Sequence, residues 1–323
     1  MKVFMLPSYQ SRAPSTRMRV NKIADFFQKE NQPVEVLPFD LSIEEKHKRL
    51  SPIQPTDILY VQKWRTEFNS AEHLIRYKGK CKIVFDLDDL TGDQQALGLI
   101  GISDAMVVGN HYLFKHYASY RKPIFLVPTS VDLSEYPKFK KEMKMSIGIA
   151  KCGLGPMIKP LLKLKEILHT LHSTYDCTLF LAGFNNANDK ATAQQVFPFA
   201  KCYDLLTYDA YLKNTVPILQ MCTVGILPFA ARDNGKSGHS ALANLGMGLP
   251  TIVAPYAECD YIIEDGKNGF IAKTPKEWFE KIEKLFIDEQ LRQQFRQAGW
   301  MTIIDKYDVP VIGRKLLKHL KEI

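Results

Sequence analysis

Residues 223–272 read TVGILPFAARDNGKSGHSALANLGMGLPTIVAPYAECDYIIEDGKNGFIA. An apolar, β-branched run ends at Pro228, and a polar loop follows with Arg232, Asp233, Asn234, Gly235 and Lys236. Helical sequence then opens with Ser237, Gly238, His239 and Ser240, and a second strand-like run covers Thr251 to Pro255. Strand, helix and strand at this spacing form the unit of a parallel sheet, whose neighbours need crossover connections. Small and hydroxyl residues at a helix start leave backbone N–H groups uncovered, and the positive end of the helix dipole favours an anion there. Lys236 adds a full charge, so Lys236, Ser237, Gly238, His239 and Ser240 are expected to cradle a diphosphate. The plain alternative is that Ser237 only caps its helix. Gly235-Lys236-Ser237 also resembles the end of a P-loop, but the glycine needed five positions earlier is Ala230, which argues against an NTPase of that type.

The same alternation extends in both directions. Strands are expected at Lys2 to Leu6, Val34 to Phe39, Asp57 to Gln62, Lys82 to Asp86, Ala105 to Val108 and Ile124 to Pro128. After the basic, core-poor KFKKEMKM the pattern restarts, with strands at Ser146 to Ala150, Thr178 to Gly183, Thr223 to Pro228, Thr251 to Pro255 and Gly269 to Ala272. Helices are expected at about 157–173, 209–221, 238–247 and 275–298. This is an α/β chain of two doubly wound, Rossmann-like domains, with ligands expected in a cleft at the carboxyl ends of the strands. The expected division is 1–133, a linker at 134–145, and 146–308. The basic amphipathic segment 309–323 either packs back on a domain through Ile312, Leu316, Leu317 and Leu320 or lies on a membrane surface.

Composition narrows the classes further. The 323 residues are 46% hydrophobic and 24% charged, which excludes disordered and collagen-like chains. The net charge of +8 is spread as +3 over 1–133, +2 over 134–145 and +3 beyond, so it marks no single basic patch. No run approaches the ~18 apolar residues of a spanning helix, and the opening MKVFMLPSYQSR turns polar too soon for a signal peptide. The six cysteines show no C-x-x-C pair and read as reduced, mostly buried thiols in a cytoplasmic protein.

Two further clusters carry chemistry. In FDLDDLTGD, Asp86, Asp88, Asp89 and Asp93 follow an apolar strand, and Asp86-Leu87-Asp88 matches the Asp-x-Asp of metal-dependent GT-A glycosyltransferases. Alternation sends Asp86 and Asp88 to one side and Asp89 to the other; acceptor contact or loop capping is the preferred reading, with no metal. Ser11, Arg12, Arg17 and Arg19 surround the loop after the first strand, where arginines can bind phosphate or an anionic acceptor. Asn110, Thr129 and Ser130 sit at comparable strand ends. His169 and His172 share a helix face but have no carboxylate partner nearby in sequence, so they are not read as a metal site.

At these residues the sequence resembles the GT-B glycosyltransferases, particularly the retaining family 4 (glycosyl transferases group 1). GMGLPTIVAP is similar to that family's Gly-x-Pro-Val strand entry, EDGKNGFIA to its Asp-Gly-x-Asn-Gly turn, and VPTSVDLSEYP to the end of its first domain. SDAMVVGNHYL resembles its Asp-x-Val-Val-x-Ser strand, and PSTRMRV its Ser-x-Arg-x-Arg helix entry. The motifs occur in the family's order over nearly the whole chain. The resemblance implies a retaining, metal-independent transfer from a nucleotide sugar, which is a substrate, so no cofactor is expected. Within this reading Lys236, from the helix-start cradle, and Asp88 and Asp89, from the acidic strand end, are the expected catalytic residues. The resemblance gives donor contacts to Lys151 and Gly153 in AKCGLGPMIKP, where Lys159 is a further cation, and to Ser237, Gly238, His239 and Ser240. Acceptor contacts fall to Ser11, Arg12, Arg17 and Arg19. The acceptor itself would be a glycan, a lipid-linked sugar at a membrane surface, or a modified DNA base. The family's Glu-x7-Glu pair falls on Gly235 and Ala243, and its Lys-x3-Lys on Lys236 and Ser240. The missing glutamates motivate a rival, a non-catalytic GT-B-like binding module. A GT-A enzyme using Asp86 and Asp88 is the third reading.

Overall fold

The computed structural model describes the chain except residues 12, 91–93, 137–145, 151–154, 185 and 205–206, with side chains at 149, 150 and 155–157 also undescribed. The described chain forms two compact units, one of Met1–Asp132, Gly235–Ser237 and Tyr307–Ile323, the other of Leu133–Asn234 and Gly238–Lys306. The α/β reading with two doubly wound sheets is borne out.

The first unit has a six-stranded sheet, in the order β2-β1-β3-β4-β5-β6. Its strands are β1 (Val3–Leu6), β2 (Val34–Val36), β3 (Ile58–Gln62), β4 (Lys82–Leu87), β5 (Ala105–Val108) and β6 (Ile124–Leu126), all paired in parallel. The four inner strands, buried on both faces, carry near-continuous apolar runs. Phe4, Leu6, Leu59, Val61, Ile83 and Phe85 pack on one face, and Val3, Met5, Ile58, Tyr60 and Val84 on the other. Val20, Ile23, Ala24 and Phe27 are all buried on the second face, as their spacing predicts. Their helix runs from Pro14 to Lys29 and widens to a π-turn over Arg17–Asn21, a distortion often found at functional sites.

The terminal helix Val309–Leu320 completes this second face. Val309, Ile312, Leu316 and Leu320 are buried in the same cluster as Ile23 and Phe27, and Leu317 is partly buried against it. Contact with the helix Lys22–Lys29 is so close that a Cβ on Gly313 would collide with the ring of Phe26. The membrane-surface reading of this segment is therefore corrected: its apolar face is enclosed within the protein.

The second unit has its own six-stranded sheet, in the order β12-β11-β10-β7-β8-β9. Here β7 is Ser146–Ala150, β8 Thr178–Phe184, β9 Ala200–Asp204, β10 Val224–Leu227, β11 Thr251–Val253 and β12 Phe270–Ile271. The edge strand β9 escaped the sequence reading because AKCYD is half-buried or exposed throughout and carries no apolar run. The expected helix 157–173 is two helices, Gly155–Leu162 and Lys165–Tyr175, separated just after the interior Pro160. Likewise 275–298 is Pro275–Ile287 followed by Glu289–Lys306. In each sheet the strand order reverses once, between β1 and β3 in the first and between β7 and β10 in the second. Ligands of doubly wound folds bind at the carboxyl ends beside such reversals.

Candidate functional site

In the first unit the reversal is filled by a buried polar network. Ser8 N donates to Gln62 Oε1 (3.2 Å), Thr16 Oγ1 donates to the same oxygen (3.0 Å), and Asn69 Nδ2 donates to Gln62 O (3.2 Å). Gln62 Nε2 and Trp64 Nε1 are buried there with no partner among the described residues. Such orphaned donors are exceptional in a folded chain and mark a place built for polar contact.

The charged residues beside it are internally neutralised. Arg19 Nε donates to Asp86 Oδ2 at 2.9 Å and Nη2 to Asp86 Oδ1, forming a bidentate pair. Its Nη1 reaches Val127 O (3.1 Å) and Thr129 Oγ1 (3.2 Å). Burial opposes the Arg19 charge, but Asp86 outweighs it and raises the pKa, so Arg19 stays a cation. With its donors turned on β4 and on the segment after β6, Arg19 ties strand ends together, and this positioning part is what its printed contacts describe. Lys63, which the sequence reading passed over, contacts Asp88 Oδ1 at 2.6 Å and Asp89 Oδ2 at 2.7 Å. Burial lowers the Lys63 pKa and the two carboxylates more than restore it, for a net rise. The backbone of Lys63 is left-handed (φ 54°), a strained state for a residue with a side chain, and its N–H donates to Asp86 O at 2.9 Å. Strand β4 ends at Leu87, so alternation does not carry through Asp88 and Asp89, and one lysine gathers both. With Asp86 on Arg19 and Asp88 on Lys63, the metal-binding reading of Asp86 and Asp88 is set aside.

Other sequence candidates in this unit are placed as follows. Ser11 is exposed and its carbonyl accepts from Asn21 Nδ2 (3.2 Å), while Arg17 is half-buried in the π-turn. Asn110 caps the helix His111–Tyr117 by accepting from Leu113 N (2.7 Å), and Ser130 Oγ donates to Met18 O (2.8 Å). Lys236 and Ser237 lie half-buried in the segment Gly235–Ser237 that clusters with this unit. Within the unit, Asn110 Nδ2 donates to Gly235 O (3.0 Å), and a Cβ on Gly235 would meet Leu90 Cβ at 2.5 Å. A glutamate at position 235 could not be housed without moving that loop. Arg12, Lys151 and Gly153 lie outside the described residues.

In the second unit the helix expected at 238–247 spans His239–Gly246 and carries Ser240 in its first turn. Its cap is Gly238, left-handed at φ 66°. A Cβ on Gly238 would stand 2.7 Å from Ala257 O and 2.6 Å from Ile262 Cδ1, so glycine is required by both conformation and space. The loop pressed against it holds two consecutive left-handed residues that are not glycine, Ala257 (φ 55°) and Glu258 (φ 64°). Strain concentrated at a helix amino end is a feature of ligand clamps. Ala243, where a glutamate was expected, is buried inside this helix. His169 and His172, both half-buried, bond Val196 O and Cys177 O (2.8 Å each) and so have structural partners. Among the described residues no cluster of three metal-ligating side chains occurs.

Beyond β10, β11 and β12 the unit opens a cavity of about 700 Å³. Lys159, Lys163, Pro228, Phe229, Arg232 and Tyr256 are among its walls, and none of residues 237–240 lines it.

Comparison with known proteins agrees with this architecture. Residues 156–288 match the family Glycosyl transferases group 1. No curated protein sequence matches the chain. Among solved structures, a glycosyltransferase from Rickettsia africae superposes with TM-score 0.74 at 12% identity, covering 99% of this chain and 98% of the other. HepE of Anabaena in complex with UDP gives TM-score 0.71 at 13% identity with both chains covered in full. Sucrose-phosphate synthase of Thermosynechococcus elongatus gives 0.70 at 9% identity, covering 100% of this chain and 99% of that one. Residues 156–288 thus carry the group 1 glycosyl transferase pattern, on a chain with the two-sheet GT-B fold that its motifs pointed to.

Proposed function

We propose that this protein is a glycosyltransferase that moves a sugar from a nucleotide-sugar donor to a hydroxyl acceptor, with retention and without a metal ion. The observation that carries the reading is the helix His239–Gly246, opening on a left-handed Gly238 wedged against Ala257 and Glu258. Fixed N–H donors of this kind stabilise charge that develops on a diphosphate leaving group as the glycosidic bond breaks. Gly238, His239 and Ser240 are the donor contacts of this reading. Lys236 and Ser237, which precede them in the chain, are the further donor-side residues of this reading, and Asp88 and Asp89, held by Lys63, are its acceptor-side residues. UDP-glucose is the first donor to test, because the structurally similar HepE has been crystallised with UDP and with UDP-glucose. The free cysteines suit a reducing, cytoplasmic compartment.

A panel of UDP-, GDP- and TDP-sugars, with mass-spectrometric detection of donor hydrolysis, tests the reading without knowledge of the acceptor. Turnover of one donor, unaffected by chelator and reduced by Lys236→Ala, is expected; no binding of any nucleotide sugar overturns it. A salt titration of acceptor binding separates a nucleic acid, with its steep dependence, from a neutral glycan. The second reading, a binding module without catalysis, is favoured by one observation: Leu90 occupies the space that a glutamate side chain at position 235 would need. Tight donor binding with no hydrolysis or transfer would select it.

A further inference from the structure

Three consecutive helical segments cover one face of the first sheet: Ala71–Leu74 with its extension Ile75–Tyr77, Gln94–Ile102, and His111–Tyr117 with its extension Ala118–Tyr120. Their inner sides, at Leu74, Leu99, Ile100, Leu113 and Tyr117, are buried in the core. Their outer sides carry large apolar side chains as well. Tyr112 (41% exposed), Phe114 (40%) and Tyr120 (40%) meet solvent within a single short stretch, and Ile75 (49%) and Leu97 (44%) do so on the other two segments. Tyr112 stacks on His116 (6.2 Å, 11°) and Tyr120 tilts against Tyr117 (5.7 Å), so these rings are held in place. Exposed apolar side chains are ordinary when scattered singly, whereas a group on one face marks an interaction surface.

The charge around that surface has one sign. Segments 71–82, 94–104 and 111–122 contain seven Lys and Arg against two acids, Glu72 and Asp104. Asp104 is engaged, accepting from Ile83 N at 2.8 Å. Arg76, Lys78, Lys80 and Arg121 are exposed and form no ion pair among the described residues. Burial and then the charge of Lys78 lower the Lys122 pKa, so the turns before β4 and β6 bring their cations together. Strand β6 is the edge of the sheet, and on its other side the helix Val309–Leu320 stacks His319 on Phe125 (4.5 Å). That helix, its apolar face enclosed, adds charge alone, with Arg314, Lys315, Lys318 and Lys321 exposed. The turns carrying Lys78, Lys80, Arg121 and Lys122 lie at the amino ends of β4 and β6. Doubly wound folds take their ligands at the opposite, carboxyl ends, so this surface is separate from the candidate site. An anionic bilayer accepts aromatic rings at its headgroup level and cations on its phosphates at once. A nucleic acid fits less well, because aliphatic Ile75 and Leu97 offer bases no ring to stack on.

We propose that this face of the first unit docks on an anionic lipid bilayer, with Tyr112, Phe114 and Tyr120 at the headgroup level and the cations of the β4 and β6 turns on the lipid phosphates. Sedimentation of the full-length protein with vesicles tests it, using phosphatidylcholine alone and phosphatidylcholine with about one-quarter phosphatidylglycerol. The anionic vesicles should bind about tenfold or more tightly, and raised salt should erase most of that difference. Lys78→Glu/Lys80→Glu should weaken binding to anionic vesicles about tenfold or more. Phe114→Ser/Tyr120→Ser should weaken it about fivefold or more, an effect that persists at raised salt because it removes apolar contact. Both double variants alter exposed side chains only. Four results would overturn the proposal: no binding to anionic vesicles, equal binding to both vesicle types, either double variant binding as the wild type does, or a single-stranded oligonucleotide binding about tenfold more tightly than the anionic vesicles. The assay contains no nucleotide sugar, so docking by a protein that takes no donor would leave this surface standing while the glycosyl-transfer reading fails.

Discussion

The strand ends of the first unit and the cavity of the second are both rich in charge, yet they are built on opposite rules. Around β3 and β4 the charges are matched internally: Arg19 with Asp86, and Lys63 with Asp88 and Asp89. Around the ends of β10 to β12, Lys159, Lys163 and Lys273 stand without a counter-charge from the described protein. A buried ion pair is part of the architecture, because removing either partner strands the other in a poorly solvated place. In the sequence the acidic run FDLDDL reads as chemistry and Lys159 as a donor-side cation, whereas Lys163 and Lys273 fall in no motif.

The contrast can be broken most sharply at Arg19. Arg19→Met should destabilise the protein by about 3–5 kcal/mol, since Asp86 is fully buried. Urea unfolding measures it, and a loss below about 1 kcal/mol would mean the pair is not structural. Gly238→Ala comes next, at about 2–3 kcal/mol from a forced left-handed backbone and the close approach of Ala257 O. UDP affinity should fall with it, and thermal unfolding together with calorimetry reads both losses. Lys63→Gln should cost about 2 kcal/mol, discounted because Asp89 is half exposed. The smallest effect is expected at the cavity: Lys163→Ala and Lys273→Ala should each change stability by no more than about 0.5 kcal/mol. A large loss there would mean that these lysines are held by the protein after all, and the contrast would collapse.

Much of the fold was legible because parallel strands buried on both faces must be apolar along their length, as Val3–Leu6, Ile58–Gln62 and Ala105–Val108 are. The edge strand Ala200–Asp204 was not, since half-buried positions on both faces leave no periodicity to read. The helix start at Gly238 was readable from its run of small residues. That Ala257 and Glu258 press on it was not, because the contact joins segments some twenty residues apart. Lys63 escaped for a related reason: its importance comes from a left-handed turn after β3 and from carboxylates on the next strand's end. The cavity's cations arrive from three separate segments, at Lys159 and Lys163, at Arg232 and at Lys273, which only the folded chain brings together.

The docking of Val309–Leu320 against the helix Lys22–Lys29 has a consequence for biosynthesis. A ribosome that has made the first 132 residues has supplied every strand of the first sheet, but one flank of its core, at Ile23 and Phe27, still lacks its cover. That flank stays open to solvent and to chaperones while the whole second unit is synthesised. The first unit is thus begun before the second and completed after it.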